Sequence, residues 1–447
     1  MQKEQIITKP MHELVCKLSA PGIVGMLMTS VNAMVDAIFA GQFVGSAAMA
    51  GIALSIPLIA FNFAVVRWIG VGSASIVSRA IGAGSDEIIG TILYYTIALL
   101  LLFSLCISIT GFLFADDLIG LMSGNGEVLI YGSKYYLMMS VFSLPSIFGV
   151  GTSVLIRAEG KMSYAMKITA VSVVLNILFC TICTVYFELG VTGLALSTIL
   201  AMTIYSVLTL RYFILKKGIL FFGKPPIRPD FKLLIEIVTV GFPGFLSQVS
   251  GLVRQIFLFK VMAINGAETG LVVFSAIYRT FSFSVTPVLG MVQALQPVAG
   301  INYGAQLFKR VRNSYFVFLK YEILLMTIIG IPLLVFSENI LTLLIPDITL
   351  TQSDIFYFRL LISVMFLFPV FPNSTTFLQA TGKIKQATLF TLFRDLLLFY
   401  PMIAYCWLWG KADSLYYGIL IENVLCAFLL FMYMQLHLRK MKGNTDL

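Results

Sequence analysis

The sequence predicts an all-α membrane protein of twelve transmembrane helices, arranged as two parallel six-helix lobes. Three observations predict it. Hydrophobic residues make up 59% of the chain and charged residues 11%, against about 25% charged for an ordinary soluble domain. Twelve apolar runs reach the roughly 20 residues that a helix needs to cross a hydrocarbon core. The chain also repeats its own punctuation when slid on itself by 222 residues.

The twelve runs lie at 15–40, 48–78, 88–114, 128–156, 163–187, 191–215, 234–262, 270–298, 314–337, 355–379, 386–409 and 415–437. Several exceed a minimal span, which predicts tilt or bending. In the first, Pro21 removes a backbone hydrogen bond and is the expected bending point. Between the sixth and seventh runs, KKGILFFGKPPIRPD (216–230) is the longest polar, proline-bearing connection. It divides the chain into an N-terminal lobe (1–215), a linker (216–232) and a C-terminal lobe (233–447).

The 222-residue shift brings Pro21-Gly22 onto Pro243-Gly244, Gly82-Ala83 onto Gly304-Ala305 and LIRAEGK (155–161) onto FLQATGK (377–383). Each half has an even number of spans, so both enter the membrane in the same direction. Parallel repeats of this kind hold substrate sites near the midplane at the repeat interface.

The net charge of +9 does not point to nucleic acid, because its placement follows the membrane. With the N-terminus in the cytoplasm, basic clusters such as Lys216-Lys217, Lys224 with Arg228, Lys309-Arg310 with Arg312, Lys383 with Lys385, and Arg439-Lys440 all fall on one side. Only Lys134 and Lys411 fall on the other, so the positive-inside rule predicts two cytoplasmic termini. The first run is too long for a signal peptide and lacks a small-residue cleavage site, so it is expected to act as an uncleaved anchor. The six cysteines all lie within apolar runs without metal-site spacing, and packing is their default role. The two histidines, His12 and His437, sit near the chain ends. No metal site, cofactor or catalytic constellation is expected.

A charge inside the membrane is a functional hypothesis by default, since it costs about 2.5 to 3.5 kcal/mol to insert. Asp36, within NAMVDAIFAG (32–41), is the clearest case and has the character of a proton-coupling residue. The alternative is an Asp that merely holds the first helix to a neighbour. The fifth span offers it polar company in Asn176 and Cys180, one turn apart on one face, and the sixth offers Thr198. Among the other internal charges, Lys320, Glu322 and Arg359 are expected to snorkel near span ends and Arg394-Asp395 to neutralise each other. Arg254, about eleven residues into the seventh span, either pairs with a distant acid such as Glu422 or faces a wet cavity. The cavity is the preferred reading and would make the second half's lining basic. Asn32, Arg254, Gln255 and Gln293 are the candidate lining residues.

These residues bring a family into view. The chain resembles the multidrug and toxic compound extrusion (MATE) transporters, particularly the bacterial branch with acid-lined N-lobes. The resemblance rests on PGIVGMLMTSVNAMVDAIFAG (21–41), GVGSASIVSRAIGAG (70–84), LIRAEGK (155–161), LNILFCTICTVYFELGVTGLALST (175–198) and QALQPVAGINYGA (293–305), in that order within twelve spans. It implies a V-shaped pair of lobes, working as a monomer in the bacterial plasma membrane, that exports small organic compounds in exchange for protons or sodium. On the family pattern Asp36 matches the coupling aspartate, Pro21 the helix 1 kink, and Asn176 and Thr198 its polar partners.

The chain departs from that pattern at Cys180, where many relatives carry a second acid. A thiol is a poor ligand for a hard cation, so protons rather than sodium are the expected coupling ion. A single acid together with Arg254 predicts better tolerance of anionic or zwitterionic compounds than is typical of a cation exporter. Sodium coupling remains one alternative, and a flippase of lipid-linked saccharides another, since it would explain cationic cavity residues. The major facilitator fold would need a basic Asp-Arg-Gly loop near residue 80, where RAIGAGSDEIIG stands. A membrane-embedded enzyme would need clustered acids or a nucleophile arrangement, and GVGSASI (70–76) is better explained by close helix packing.

Overall fold

In a membrane each backbone polar group must find its partner within the protein, which leaves helices as the spanning form for a chain with this apolar pattern. The computed structural model follows that rule. It describes residues 2–122, 124–223, 230–265, 268–410 and 414–443. In chain order the helices are α1 (Gln2–Thr8), α2 (Met11–Phe39), α3 (Ser46–Ala83), α4 (Asp86–Leu121), α5 (Gly126–Val141), α6 (Ser143–Ala158), α7 (Met162–Cys180) and α8 (Gly190–Ile214). The second half continues with α9 (Phe231–Asn265), α10 (Glu268–Gly304), α11 (Phe308–Val335), α12 (Ser337–Leu344), α13 (Gln352–Ser363), α14 (Val370–Ala380), α15 (Ile384–Leu392), α16 (Phe399–Gly410) and α17 (Ser414–Gly443). Among the described residues, eleven helical stretches are long and apolar enough to cross a membrane, and α5 with α6, bent by 55° at their junction, make the twelfth when taken as one span. Each of the twelve overlaps one of the runs expected from sequence. Exposed Leu102, Leu105, Phe112, Ile328 and Ile331 give the outer faces the apolar character that lipid requires.

Among the described residues, three π-helical segments interrupt this regularity, at Ala40–Val44, Thr181–Tyr186 and Phe393–Leu398, and a 3₁₀ turn lies at Val364–Phe366. π segments recur at functional positions because the extra residue re-aims the side chains around them. Here they stand in the first, fifth and eleventh spans, the first two just after Asp36 and Cys180 and the third containing Arg394-Asp395.

Two compact units divide the chain. One comprises Met1–Lys3 with Val24–Gln248, the other Glu4–Ile23 with Val249–Leu447. The boundaries fall inside α2 and α9, shortly after Pro21 and Pro243, rather than in the connection between the lobes. The expected limits at 215 and 233 therefore follow the order of the spans, whereas packing divides the chain within the first helix of each repeat. Part of the expected linker, 224–229 with Lys224 and Arg228, lies outside the described residues, as does Lys411.

Within the first unit, the start of α9 lies so close to α3 that a Cβ added at Gly241 would run into the Trp68 carbonyl. Small residues permit this approach, and the Trp68 indole N–H fastens it by donating to the Val238 carbonyl at 2.7 Å. In the second unit, a Cβ at Gly290 of α10 would meet the backbone of Gly22 at 2.5 Å. The two repeats thus use the same device. At the end of α6, Glu159 ties down the start of the inter-lobe connection, accepting from the Tyr212 hydroxyl at 3.0 Å and from the backbone N–H groups of Ile219 at 2.6 Å and Leu220 at 3.2 Å.

Candidate ion-coupling site

Asp36 stands near the end of α2, one turn before the first π segment. Its partners are neutral. The Asn32 amide, one turn earlier, donates to Oδ2 at 3.2 Å. The Cys180 thiol, at the last position of α7, donates to Oδ1 at 3.6 Å. Cys180 also lies 2.9 Å from the Ser197 hydroxyl and 3.9 Å from the Asn176 carbonyl oxygen. The Asn176 amide in turn donates to Thr198 Oγ1 at 3.3 Å. Asp36, Asn176, Cys180 and Thr198, drawn from spans one, five and six, therefore form one hydrogen-bonded group within the first unit.

Helical periodicity explains the convergence. Asn32 and Asp36 share a face of α2, as Asn176 and Cys180 share one of α7, and Ser197-Thr198 face both from α8. Ala40, Cys180 and Leu194 form a small apolar cluster beside this group, with Phe39, Ile52 and Tyr135 packed against it. Asp36 is only half-buried, while Asn176 and Cys180 are buried. The carboxylate is thus held by two weak donors on an otherwise apolar wall. Such a group can exchange a proton without breaking an ion pair.

Cys180, expected from sequence as polar company for Asp36, lies with its thiol against the carboxylate rather than in the packing role that is a cysteine's default. Ser197 was not anticipated. A serine beside Thr198 in an apolar helix looks like routine backbone back-bonding, and it makes that bond as well, to Leu194 at 2.8 Å.

The second unit overturns the preferred reading of Arg254. Its guanidinium donates to Asp395 Oδ1 at 3.0 Å and to Glu422 at 3.4 and 3.2 Å. It also covers the Phe399 ring, 4.2 Å from the centroid. Arg394 completes the cluster, donating to Glu422 at 3.2 Å, with Asp395 4.0 Å away. Two arginines and two acids balance, so the second half gains no basic lining from Arg254, and the expectation of anion tolerance loses its support. Under the repeat, Arg254 occupies the place of Asn32. The two halves thus put polar groups at equivalent positions of the repeat, ion-paired in one and neutral around a single acid in the other. Gln255 is exposed on α9, and Gln293 is half-buried on α10.

Glu322 also departs from expectation. It is fully buried rather than snorkelling, because α11 begins at Phe308 and carries Glu322 at its middle rather than near a span end. Arg359 donates to Ser337 at 2.8 Å.

The MatE family model matches this chain twice, at residues 21–182 and 243–404. The two matches stand 222 residues apart, the period read from the sequence, and together cover well over half the chain. The chain belongs to the MatE family. The multidrug export protein MepA of Staphylococcus saprophyticus is 23% identical over 430 residues, covering 95% of this chain and 93% of that protein. MepA of Staphylococcus haemolyticus is 25% identical over 417 residues, covering 92% and 90%. Among solved structures, a MATE protein in its bent conformation superposes with a TM-score of 0.93 at 23% identity, covering 100% of both chains. This MatE protein is accordingly a multi-pass membrane transporter and not an enzyme.

Proposed function

We propose that this protein is a secondary antiporter of the bacterial plasma membrane. It exports small organic compounds by alternating access, driven by protons that enter through Asp36, with both termini in the cytoplasm. The relatives named as multidrug exporters support the export direction and the substrate class.

The observation that carries the coupling ion is the set of groups around Asp36. A sodium ion seeks oxygen ligands, and here a thiol stands beside the carboxylate at 3.6 Å where a second acid would complete a cation site. A proton needs only one carboxylate and weak partners. Pro21 in α2, fifteen residues before Asp36, lies next to the boundary between the two units and is the expected bending point of the cycle. The flippase alternative drew on unpaired cavity arginines, and the pairing of Arg254 removes that support.

The energetics are sufficient. A proton crossing about 100 mV releases about 2.3 kcal/mol, and one pH unit adds about 1.4 kcal/mol. Together these sustain a gradient of a neutral compound on the order of 500-fold per proton.

The test is to reconstitute the protein in proteoliposomes and impose a pH gradient and a sodium gradient separately, following efflux of fluorescent compounds of each charge type. Export under the pH gradient alone supports the proposal. Export that follows sodium and ignores pH refutes it.

A further inference from the structure

Glu322, in the middle of α11, is completely buried, and so is Asn373 in the first turn of α14. The Asn373 amide donates to Glu322 Oε2 at 2.7 Å. The other two oxygens of the pair, Glu322 Oε1 and Asn373 Oδ1, are both buried acceptors without a hydrogen-bonding partner. Buried polar atoms in native proteins are nearly always paired, so two orphans from one contacting pair call for a common explanation. An ionised carboxylate leaves both without a donor. A single proton on Oε1 supplies the one donor that both lack and closes an acid–amide pair, with N–H to Oε2 on one side and O–H to Oδ1 on the other.

The surroundings favour the neutral acid. The titratable neighbour is Tyr315, two turns earlier on α11, and its hydroxyl is engaged with Ser374 at 2.9 Å. The elements packed against α11 include α10, α13, α14 and α17, and among the described residues no charged side chain forms an ion pair with Glu322, whose hydrogen bond is to Asn373. The pair also sits next to a built-in break. Span ten is interrupted by the 3₁₀ turn at Val364–Phe366, and α14, which carries Asn373, begins only at Val370. Mid-span 3₁₀ segments often mark hinges. A Cβ at Gly330 of α11 would lie 3.2 Å from the Phe366 ring, so the helix bearing Glu322 packs directly on the break. Movement at the break would part Asn373 from Glu322 and free the proton.

We propose that Glu322 with Asn373 is a second proton-binding site, in the second unit, and that its proton moves with each export cycle in addition to that of Asp36. The proposal rests on the proton-driven reading, with Asp36 gating the cycle and Glu322 adding one proton to it. A Glu322→Gln variant is the natural probe, because glutamine reproduces the closed pair with asparagine while carrying no exchangeable charge.

The experiment has two arms on reconstituted protein. Infrared difference spectra at neutral pH of wild type against Glu322→Gln should show a protonated carboxyl carbonyl band in wild type only, which shifts in Asn373→Ala as the acid loses its acceptor. The second arm measures the gradient of a neutral substrate sustained by one pH unit at zero membrane potential. Two coupled protons sustain about 100-fold and one about tenfold, since each proton contributes tenfold per pH unit, so Glu322→Gln should fall about tenfold below wild type. No such band, or a band with an unchanged gradient, overturns the proposal. If a pH gradient drives no export even in wild type, the proton-driven reading and the coupling role of Glu322 fall together, and the infrared band still decides whether Glu322 holds a proton.

Discussion

Replacing Arg254 with methionine keeps most of the side-chain length and removes the guanidinium that bridges Asp395 at 3.0 Å and Glu422 at 3.2 Å. Glu422 is fully buried and Asp395 nearly so, so neither can recover its interactions from water. Deleting one partner of a buried ion pair costs about 3 to 5 kcal/mol, chiefly because the other charge is left uncompensated. Arg394 remains 3.2 Å from Glu422 and satisfies one acid, which leaves Asp395 as the stranded charge. The loss should therefore sit near 3 kcal/mol, the lower end of that range. The double variant Arg254→Met with Asp395→Leu removes both ends and leaves a balanced Arg394–Glu422 pair, so it should recover at least half of that loss. Reversible unfolding in mixed micelles measures all three proteins. The account is refuted by a single variant within about 0.5 kcal/mol of wild type, the range of an ordinary surface change. A double variant no more stable than the single one refutes it equally. An arginine that lined a wet cavity would instead leave stability intact and alter substrate choice.

Two further predictions come from groups nearer the membrane surface and from the coupling site. Glu159, just past the end of α6, has its carboxyl pushed up from the ordinary range to about 7, mainly by burial and against the pull of the Ile219 N–H, the Tyr212 hydroxyl and the Leu220 N–H. The folded state therefore holds its proton more tightly than the unfolded state. Stability falls by about 3 kcal/mol as pH rises from roughly 4.5 to 7 and changes no further above that. Glu159→Gln should abolish this slope, and an unfolding series across that window in which both proteins slope alike would contradict it. Cys180→Asp places a second acid beside Asp36 and should make export respond to sodium, read as sodium-stimulated efflux at constant pH. An unchanged indifference to sodium would show that the thiol is not what excludes the ion.

How much of this was legible in the chain depended on the distance over which the physics acts. Spans and repeat could be read because apolar length and the 222-residue register are properties of consecutive residues. The Asp36 group could be read because Asn176 and Cys180 share a helical face, and because the family resemblance joined three spans that spacing alone could not. The partners of Arg254 lie 141 and 168 residues away, and nothing local distinguishes an arginine that meets two acids from one that meets water. Glu322 was expected near the end of a span at 314–337, whereas α11 begins at Phe308 and puts it in the middle of the helix. The break in span ten left a faint trace in Pro369 and Pro372, whereas the π segments have no comparable mark in the sequence.

The central claim, that Asp36 carries the coupling proton, is tested most directly by watching protons move. Proteoliposomes loaded with a pH-sensitive dye and given an outward substrate gradient without an imposed pH gradient should take up protons, acidifying the lumen, as substrate leaves. The account predicts substrate-linked proton flux in wild type that falls to half or less in Asp36→Asn, while substrate exchange at equal pH persists in both. Undiminished proton flux in Asp36→Asn would contradict it, and would move the coupling site to the acids of the second unit.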